Sequence, residues 1–396
     1  MHYERKFNQQ LLQLSKSHPA LVLTGARQSG KTTLLQRVFP NHQYVSLDLP
    51  SVAELAERNP ETFFLQHAPP LIVDEVQYAP GLFRHLKQLI DKDRLTSGQF
   101  MLTGSQKFNL MKNVSESLAG RCVWVELENL PYEEIAAHNK PDTDLLLRVL
   151  ARGQFPELWR VPDISANDYY RSYLATYLER DVRQLINVTS LRDYERFIRL
   201  LAVRSGQGFN RSELARETGV SVKTISDWAS ALEASNQIVF LEPWYHNFSK
   251  RIVKNPKIYF CDTGFLCYLL NIHPSQLLAS PFLGSLWETF VFAELRKINR
   301  TLAEPYQLWF YRDQRAREID FVLERGGVLS FLECKWTERP REEDTLTMHK
   351  IAEELKESST PFRPGWMGVV CRTANAYPMQ AGERALALSD LRQQLE

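Results

Sequence analysis

Cysteine is scarce in this chain. Five occur in 396 residues, at positions 122, 261, 267, 334 and 371. An odd, scattered set with no C-x-x-C spacing argues against a disulfide framework or a zinc ribbon and fits a reducing cytoplasm. Long apolar runs are missing too. Nothing approaches the roughly 18 residues of a membrane-crossing helix, and the opening MHYERKFNQQ has no apolar signal region, so no membrane role is expected. Neither sign of charge is in surplus: 48 basic and 47 acidic residues leave a net charge of +1. Bulk charge therefore cannot draw the chain to a polyanion, and any nucleic-acid contact must come from a local patch. Internal repeats and low-complexity segments are also absent. What remains is ordinary globular material, 44% hydrophobic and 24% charged, long enough for about two to four domains.

The most informative stretch is LTGARQSGKTTLL, Leu23 to Leu35. The apolar residues Ala20 to Leu23 suit a buried strand, and Leu34 and Leu35 suit the first turns of a helix. Two glycines, a lysine and two threonines thus sit where a strand becomes a helix. The free N–H groups of a helix N-terminus favour anions. Gly25 and Gly30 let the backbone curl around one, Lys31 adds a positive charge, and the Thr32 hydroxyl can ligate a metal. This is the G-x-x-x-x-G-K-[ST] phosphate-cradling loop. Gly25, Ala26, Arg27, Gln28, Ser29, Gly30, Lys31, Thr32 and Thr33 are therefore expected to bind ATP.

Hydrolysis also needs a metal organiser and a base. PPLIVDEVQ ends a buried strand, Leu71 to Val73, with two carboxylates at its carboxyl end, where open α/β sheets bind ligands. Asp74 is expected to hold Mg²⁺ together with Thr32, and Glu75 to polarise the attacking water. The next strand, QFMLTGSQ, ends near Ser105 and Gln106, candidates for sensing the γ-phosphate. Arg121, in SLAGRCVWV, is placed to reach a phosphate in cis or across a subunit interface. The other reading is a plain surface arginine.

GARQSGKTT, LIVDEVQ, LTGSQ and SLAGR, in that order, resemble an AAA-type ATPase domain. It is similar to the one in a widespread prokaryotic family whose ATPase is followed by a C-terminal domain of unknown function. That half carries a YLERDV-like segment, matched here by Tyr177 to Val182, and FCDTGF at Phe260 to Phe265 also fits. The resemblance spans nearly the whole chain and implies ATP and Mg²⁺ as cofactors.

The middle of the chain has helix–turn–helix texture. Asn210 or Ser212 can cap a helix carrying Leu214 and Ala215, Gly219 ends it, and Ser221 caps a second with Ile225, Trp228 and Leu232 on one face. A strand at Ile238 to Leu241 completes the order of a winged helix, whose second helix would turn Lys223, Thr224 and Ser226 toward a DNA groove. Seven basic and seven acidic residues between 190 and 245 make this module neutral. The basic segment SKRIVKNPK, 249–257, would compensate for the missing charge. The competing reading is a winged helix that contacts protein partners.

REIDFVLERGGVLSFLECKW, 317–336, reads as a hairpin around Gly326 and Gly327. Antiparallel pairing about that turn sets Asp320 opposite Glu333, with Lys335 on the same face. Two carboxylates so close need a counter-charge. A divalent metal would make a nuclease-type site, and Lys335 alone would make a salt-bridged hairpin. The pattern resembles the PD-(D/E)XK nuclease superfamily, which adds a glutamate from a preceding helix, here Glu288. Ile319 stands where the superfamily's name has Pro, and Trp336 follows the lysine where a polar residue is common.

The expected architecture is α/β: an AAA-type P-loop ATPase (1–140), a helical connector (141–189), a winged helix-turn-helix (190–260) and a PD-(D/E)XK nuclease-like domain (261–396). The leading expectation is ATP hydrolysis acting on or with DNA, as an ATP-gated nuclease using a second Mg²⁺ or Mn²⁺ at Asp320 and Glu333. The alternative is a nucleotide-dependent switch that recruits protein partners and keeps an inactive nuclease fold. Assembly into an oligomer is compatible with either.

Overall fold

The computed structural model describes residues 3–104, 117–177, 190–245, 255–358 and 360–396. The chain forms two compact units. One holds 1–130 with 155–161 and 234–236, and the other holds 131–154, 162–233 and 237–396. Ser105 and Gln106, residues 178–182 of the YLERDV-like segment and residues 249–254 of the basic segment lie outside the described residues.

In the first unit five strands, β1 (Ala20–Gly25), β2 (Gln43–Ser46), β3 (Leu71–Asp74), β4 (Phe100–Thr103) and β5 (Cys122–Leu127), form a sheet in the order β2-β3-β4-β1-β5. All its pairings are parallel. β1, β3 and β4 are buried along their whole length. A parallel sheet covered on both faces selects continuous apolar runs such as LVL and LIV over alternation. Ala20 and Val22 pack with Phe83, Leu86 and Ile90 of the Leu82–Lys92 helix. Leu21 and Leu23 face the other way, toward Leu34 and Leu35 of the Lys31–Val38 helix. The expected parallel sheet under helices is therefore present.

The second unit holds a run of three helices, Leu191–Ala202, Arg211–Thr218 and Val222–Ala234, beside a small sheet of β6 (Gln207–Gly208), β7 (Ile238–Leu241) and β8 (Lys257–Phe260), with β8 central. Asn210, not Ser212, caps the Arg211 helix by accepting from Glu213 N at 3.2 Å. Gly219 ends that helix at φ 77°, and the Ser221 hydroxyl accepts from Thr224 N at 3.0 Å. The Leu191 helix was not anticipated, although Tyr194, Phe197, Ile198 and Leu201, all buried in it, have helical spacing.

A six-stranded mixed sheet follows the Leu283–Asn299 helix. Its strands are β9 (Gln307–Arg312), β10 (Glu318–Arg325), β11 (Val328–Cys334), β12 (Arg363–Val370), β13 (Tyr377–Pro378) and β14 (Arg384–Leu386), in the order β13-β14-β12-β11-β10-β9. The Leu346–Glu357 helix joins β11 to β12 and buries Met348, Ile351 and Leu355 against Val322, Phe331 and Val369. Helix, strand, hairpin, helix and strand thus come in the order read from the sequence. Gly326 and Gly327, at φ 59° and 76°, supply the two left-handed residues that a tight hairpin turn needs. Phe321 pairs with Leu332 and Arg325 with Val328, which is the register that brings Asp320 toward Glu333.

FCDTGF is a packing joint. Asp262 caps the Thr263–Leu269 helix by accepting from Phe265 N at 3.0 Å, and it also accepts from Gln154 N at 2.8 Å and the Tyr170 hydroxyl at 2.7 Å. A Cβ on Gly264 would lie 2.4 Å from Gly153 N, whereas one on Gly284 would meet nothing within 4 Å. Gly264→Ala should therefore cost about 2 kcal/mol or more and lower the melting temperature. Gly284→Ala, near the start of a helix, should leave it unchanged or raise it. Equal melting temperatures for the two variants would contradict the joint.

Candidate functional site

The phosphate loop leaves β1 at the carboxyl edge of the parallel sheet. Gly25 has φ +148°, and a Cβ there would stand 2.2 Å from Leu127 O on β5, so only glycine fits. Gly30, at φ 92°, starts the Lys31–Val38 helix. Lys31 is buried, and its ammonium donates to Gly25 O at 3.0 Å and Ala26 O at 2.9 Å. Ser29 is fully buried, and its Oγ has no hydrogen-bond partner among the described residues. Arg27 is half-buried, while Gln28 and Thr33 are exposed. Arg5, which no motif pointed to, is buried and braces the loop by donating to Ser29 O at 3.3 Å and Glu128 O at 2.7 Å.

Three hydroxyls converge on Asp74. Thr32 Oγ1 donates to Oδ2 at 2.8 Å, Tyr44 OH to Oδ2 at 3.0 Å, and Thr103 Oγ1 to Oδ1 at 2.6 Å. Burial, then the charge of Asp74, push the Tyr44 phenol up to about 12, which keeps it a donor. Tyr44 and Thr103 were not among the expected site residues: Tyr44 belongs to no short motif, and within LTGSQ the expectation fell on Ser105 and Gln106 instead of Thr103. Thr103 ends β4 and Tyr44 is the second residue of β2, both in the same sheet as β3. Glu75 has a left-handed backbone, φ 54°, and accepts from the Gln77 side chain. Hydroxyl and carboxylate oxygens beside an anion-binding loop suit a hard Mg²⁺ ion with its nucleotide. Thr32 and Asp74 are the residues that would hold it.

Arg121 is corrected. β5 pairs Cys122 with Ala20 and Leu127 with Gly25. Arg121 therefore precedes the strand at the amino edge of the sheet, about 20 Å of strand from the loop. There it forms a two-pronged pair with Asp91, at 2.7 and 2.9 Å. This placement argues against contact with phosphate in cis and leaves two readings, a surface arginine paired with Asp91 and an arginine that acts across an interface.

The second cluster lies in the other unit. Asp320, Glu333 and Lys335 come together in the register of the hairpin, Glu288 reaches them from the preceding helix, and Glu318 and Lys257 join them. Lys335 Nζ is 3.0 Å from Glu333, and Asp320 accepts from Cys334 N at 2.9 Å. Lys257 Nζ is 2.9 Å from Glu288, 2.5 Å from Glu318 and 3.9 Å from Asp320. The Tyr259 hydroxyl donates to Glu288 at 2.6 Å. Lys257 had been read as part of the basic 249–257 patch for DNA. It is instead 3% exposed and committed to carboxylates, so it is unavailable to DNA. Among the described residues no three His, Cys, Asp or Glu side chains are arranged to hold a metal. The expected Mg²⁺ or Mn²⁺ at Asp320 and Glu333 does not fit this arrangement, because an ammonium already lies among the acids.

Burial opposes the charge on Lys257, but Glu288, Asp320 and Glu318 outweigh it and hold the lysine above its ordinary value. Burial and then Asp320 push Glu333 well above the usual carboxylate range, with Lys335 pulling the other way.

Three family models match successive stretches of the chain. Residues 17–136 match a family model described as an AAA domain, 143–276 a domain of unknown function (DUF8612), and 283–391 another domain of unknown function (DUF4143). Uncharacterized protein Rv2008c of Mycobacterium tuberculosis and Uncharacterized protein Mb2031c of Mycobacterium bovis are each 33% identical to this chain over 375 residues, covering 94% of it and 78% of their own length. A Walker-type ATPase of Pyrococcus abyssi aligns with a TM-score of 0.46 and 16% identity over 68% of this chain and 96% of its own.

The acid cluster predicts a pH dependence. Burial, then the charge of Asp320, push Glu288 from 4.5 up to about 7 against the pull of Lys257. Between those values the folded chain holds a proton that the unfolded chain lacks. This contribution is fully present below pH 4.5 and is lost as pH rises through about 7. The slope is at most about 1.4 kcal/mol per pH unit for one proton. Glu288→Gln, which mimics the protonated side chain, should flatten the decline of denaturation midpoint across that window. An unchanged profile would remove Glu288 as its source.

Proposed function

The chain belongs to the family of these two mycobacterial proteins, and we propose that it is an ATP-hydrolysing switch that works with DNA. The observation that carries the reading is the convergence of Thr32, Tyr44 and Thr103 on Asp74, beside the Gly25–Lys31 loop at one edge of a parallel sheet. Backbone N–H groups of the loop and the helix N-terminus cradle the phosphates. Lys31 turns its ammonium from the Gly25 and Ala26 carbonyls to phosphate oxygens. Bound Mg²⁺ supplies charge neutralisation of the phosphates. Glu75, one residue beyond Asp74, orients the attacking water and accepts its proton. Arg121 serves a neighbouring subunit's nucleotide, released from Asp91 on assembly.

DNA enters this reading through the second unit. The Arg211–Thr218 and Val222–Ala234 helices, with the Gly219 turn and the β7–β8 strands, are read as a winged helix. Lys223 is exposed on the second helix, with Thr224 and Ser226 half-buried beside it. A neutral module of this kind binds DNA weakly by itself, so nucleotide-dependent assembly would multiply its affinity. Protein partners on the same helices are the alternative. A second reading, a metal-dependent nuclease, is favoured by the PD-(D/E)XK-like element order and the meeting of Glu288, Asp320, Glu333 and Lys335. Against it stands the Lys257 ammonium, which already lies among the acids that a metal would need.

Lys31→Ala should abolish nucleotide binding and ATP turnover. Glu75→Gln should keep binding and lower turnover by about a hundredfold. Wild-type turnover in Glu75→Gln would remove it as the base. Turnover per subunit should rise with protein concentration in the wild type and stay low and flat in Arg121→Ala. A concentration-independent rate together with full Arg121→Ala activity would remove the role in trans. ATP should strengthen retention of a DNA duplex in a gel-shift assay, with Lys31→Ala as control. Equal retention with and without ATP would favour protein partners.

A further inference from the structure

We propose that the Lys257 ammonium takes the place of a divalent cation in the C-terminal carboxylate cluster, so that the acids are held together by a cation of the chain itself. The inference stands on geometry and does not depend on the ATPase reading.

Lys257 opens β8, the central strand of the small sheet. Its backbone is pinned on both sides, opposite Gly208 on β6 and Leu241 on β7. Side chains on a strand alternate between faces, so Lys257 and Tyr259 share one. Both reach Glu288, the lysine at 2.9 Å and the tyrosine hydroxyl at 2.6 Å. Phe310 lies below the ammonium, its ring centroid 5.5 Å from Nζ. An ammonium has three protons to give and nothing to accept. Here it meets Glu288 and Glu318 at hydrogen-bond distance, with Asp320 at 3.9 Å completing the ring of charge.

The acids that Lys257 gathers come from two separate elements, Glu288 from the Leu283–Asn299 helix and Glu318 and Asp320 from the start of β10, while Glu333 at the end of β11 pairs with Lys335. On the β9 side the register slips between Ile319 and Val322. A bulge of this kind re-aims a side chain, and Asp320 is one of the two residues inside it. A metal ligated by Asp320 and Glu288 would have to lie within a few ångströms of Nζ, so the two cations exclude each other. Lys335, 3.0 Å from Glu333, supplies the second positive charge. Lys257, Lys335 and the Arg312 guanidinium, 3.7 Å from Glu318, thus face Glu288, Glu318, Asp320 and Glu333, so three cations offset most of the charge of four acids without an added dication.

The test uses the full chain, nucleotide-free and carrying Lys31→Ala so that the phosphate loop does not contribute. Mn²⁺ binding is read by thermal shift and by the electron paramagnetic resonance of bound ion. The Lys31→Ala protein should bind no Mn²⁺ at the cluster, and its melting temperature should not respond to the ion. Adding Lys257→Met should lower the melting temperature without metal and create an Mn²⁺-dependent rise, which Asp320→Asn then abolishes. The proposal is overturned if Lys31→Ala binds Mn²⁺ and Asp320→Asn or Glu333→Gln removes that binding. It is also overturned if Lys31→Ala/Lys257→Met folds and ignores the ion. Should the Lys257→Met protein fail to fold, the Lys31→Ala measurement decides by itself: bound Mn²⁺ lost with Asp320→Asn sinks the proposal, and its absence upholds it.

Discussion

Parallel strand pairing is the constraint on which the ATP site depends. When all strands of a sheet run one way, their carboxyl ends meet at one edge and their amino ends at the other. β1 delivers Gly25, β3 delivers Asp74 and β4 delivers Thr103 to the same edge, although 78 positions separate the first from the last. The same pairing sends Arg121 to the opposite edge, since Cys122 pairs with Ala20. One register therefore gathers the loop, Asp74 and Thr103 at one edge and keeps Arg121 away from them. Close packing enforces it: Gly25 and Leu127 O approach so nearly that a methyl group has no room.

The second unit relies on compensated buried charge. Glu294 is buried, yet it accepts from Tyr132 N at 2.8 Å, Gln154 Nε2 at 2.6 Å and Lys297 Nζ at 2.9 Å. Asp262 is treated similarly by Gln154 N, the Tyr170 hydroxyl and Phe265 N. Leaving any one of these carboxylates bare would cost several kilocalories per mole, so each fixes the elements around it. FCDTGF reads from sequence as a mark of kinship. In three dimensions it is a cap, a tyrosine partner and a close backbone crossing.

Short-range chemistry was legible and long-range delivery was not. The loop could be read because its glycines, lysine and threonines are consecutive, and the hairpin because a Gly-Gly turn fixes register by counting. Asn210 and Ser221 could be read as caps because capping acts within a turn of helix. Tyr44 and Thr103 escaped notice because nothing local says that β2 and β4 flank β3. Lys257 was misread for the same reason. In SKRIVKNPK it is one of four basic residues, and composition alone makes it solvent-facing. Only the pairing of β8 with β6 and β7 turns it inward. The alternation K-x-Y that puts Lys257 and Tyr259 on one face was present in the sequence, but without a partner for that face it carried no instruction.

The two carboxylate sites differ in the charge of what holds them, and this difference separates their chemistry. Asp74 is held by three hydroxyls. Neutral donors orient a carboxylate without cancelling its charge, and a hydroxyl can turn its lone pairs to an incoming ion. Asp74 is thus oriented by neutral groups, near a loop whose lysine is engaged with carbonyls, and such oxygen donors suit a magnesium ion carried with a nucleotide. The C-terminal acids are held by ammonium groups. Charged donors orient and cancel at once, and they cannot turn from donor to acceptor. A dication arriving there would have to displace Lys257 from Glu288 and Glu318, where the ammonium also lies over the Phe310 ring. The hydroxyl-held site is therefore poised to exchange ligands, and the ammonium-held site is built to stay closed.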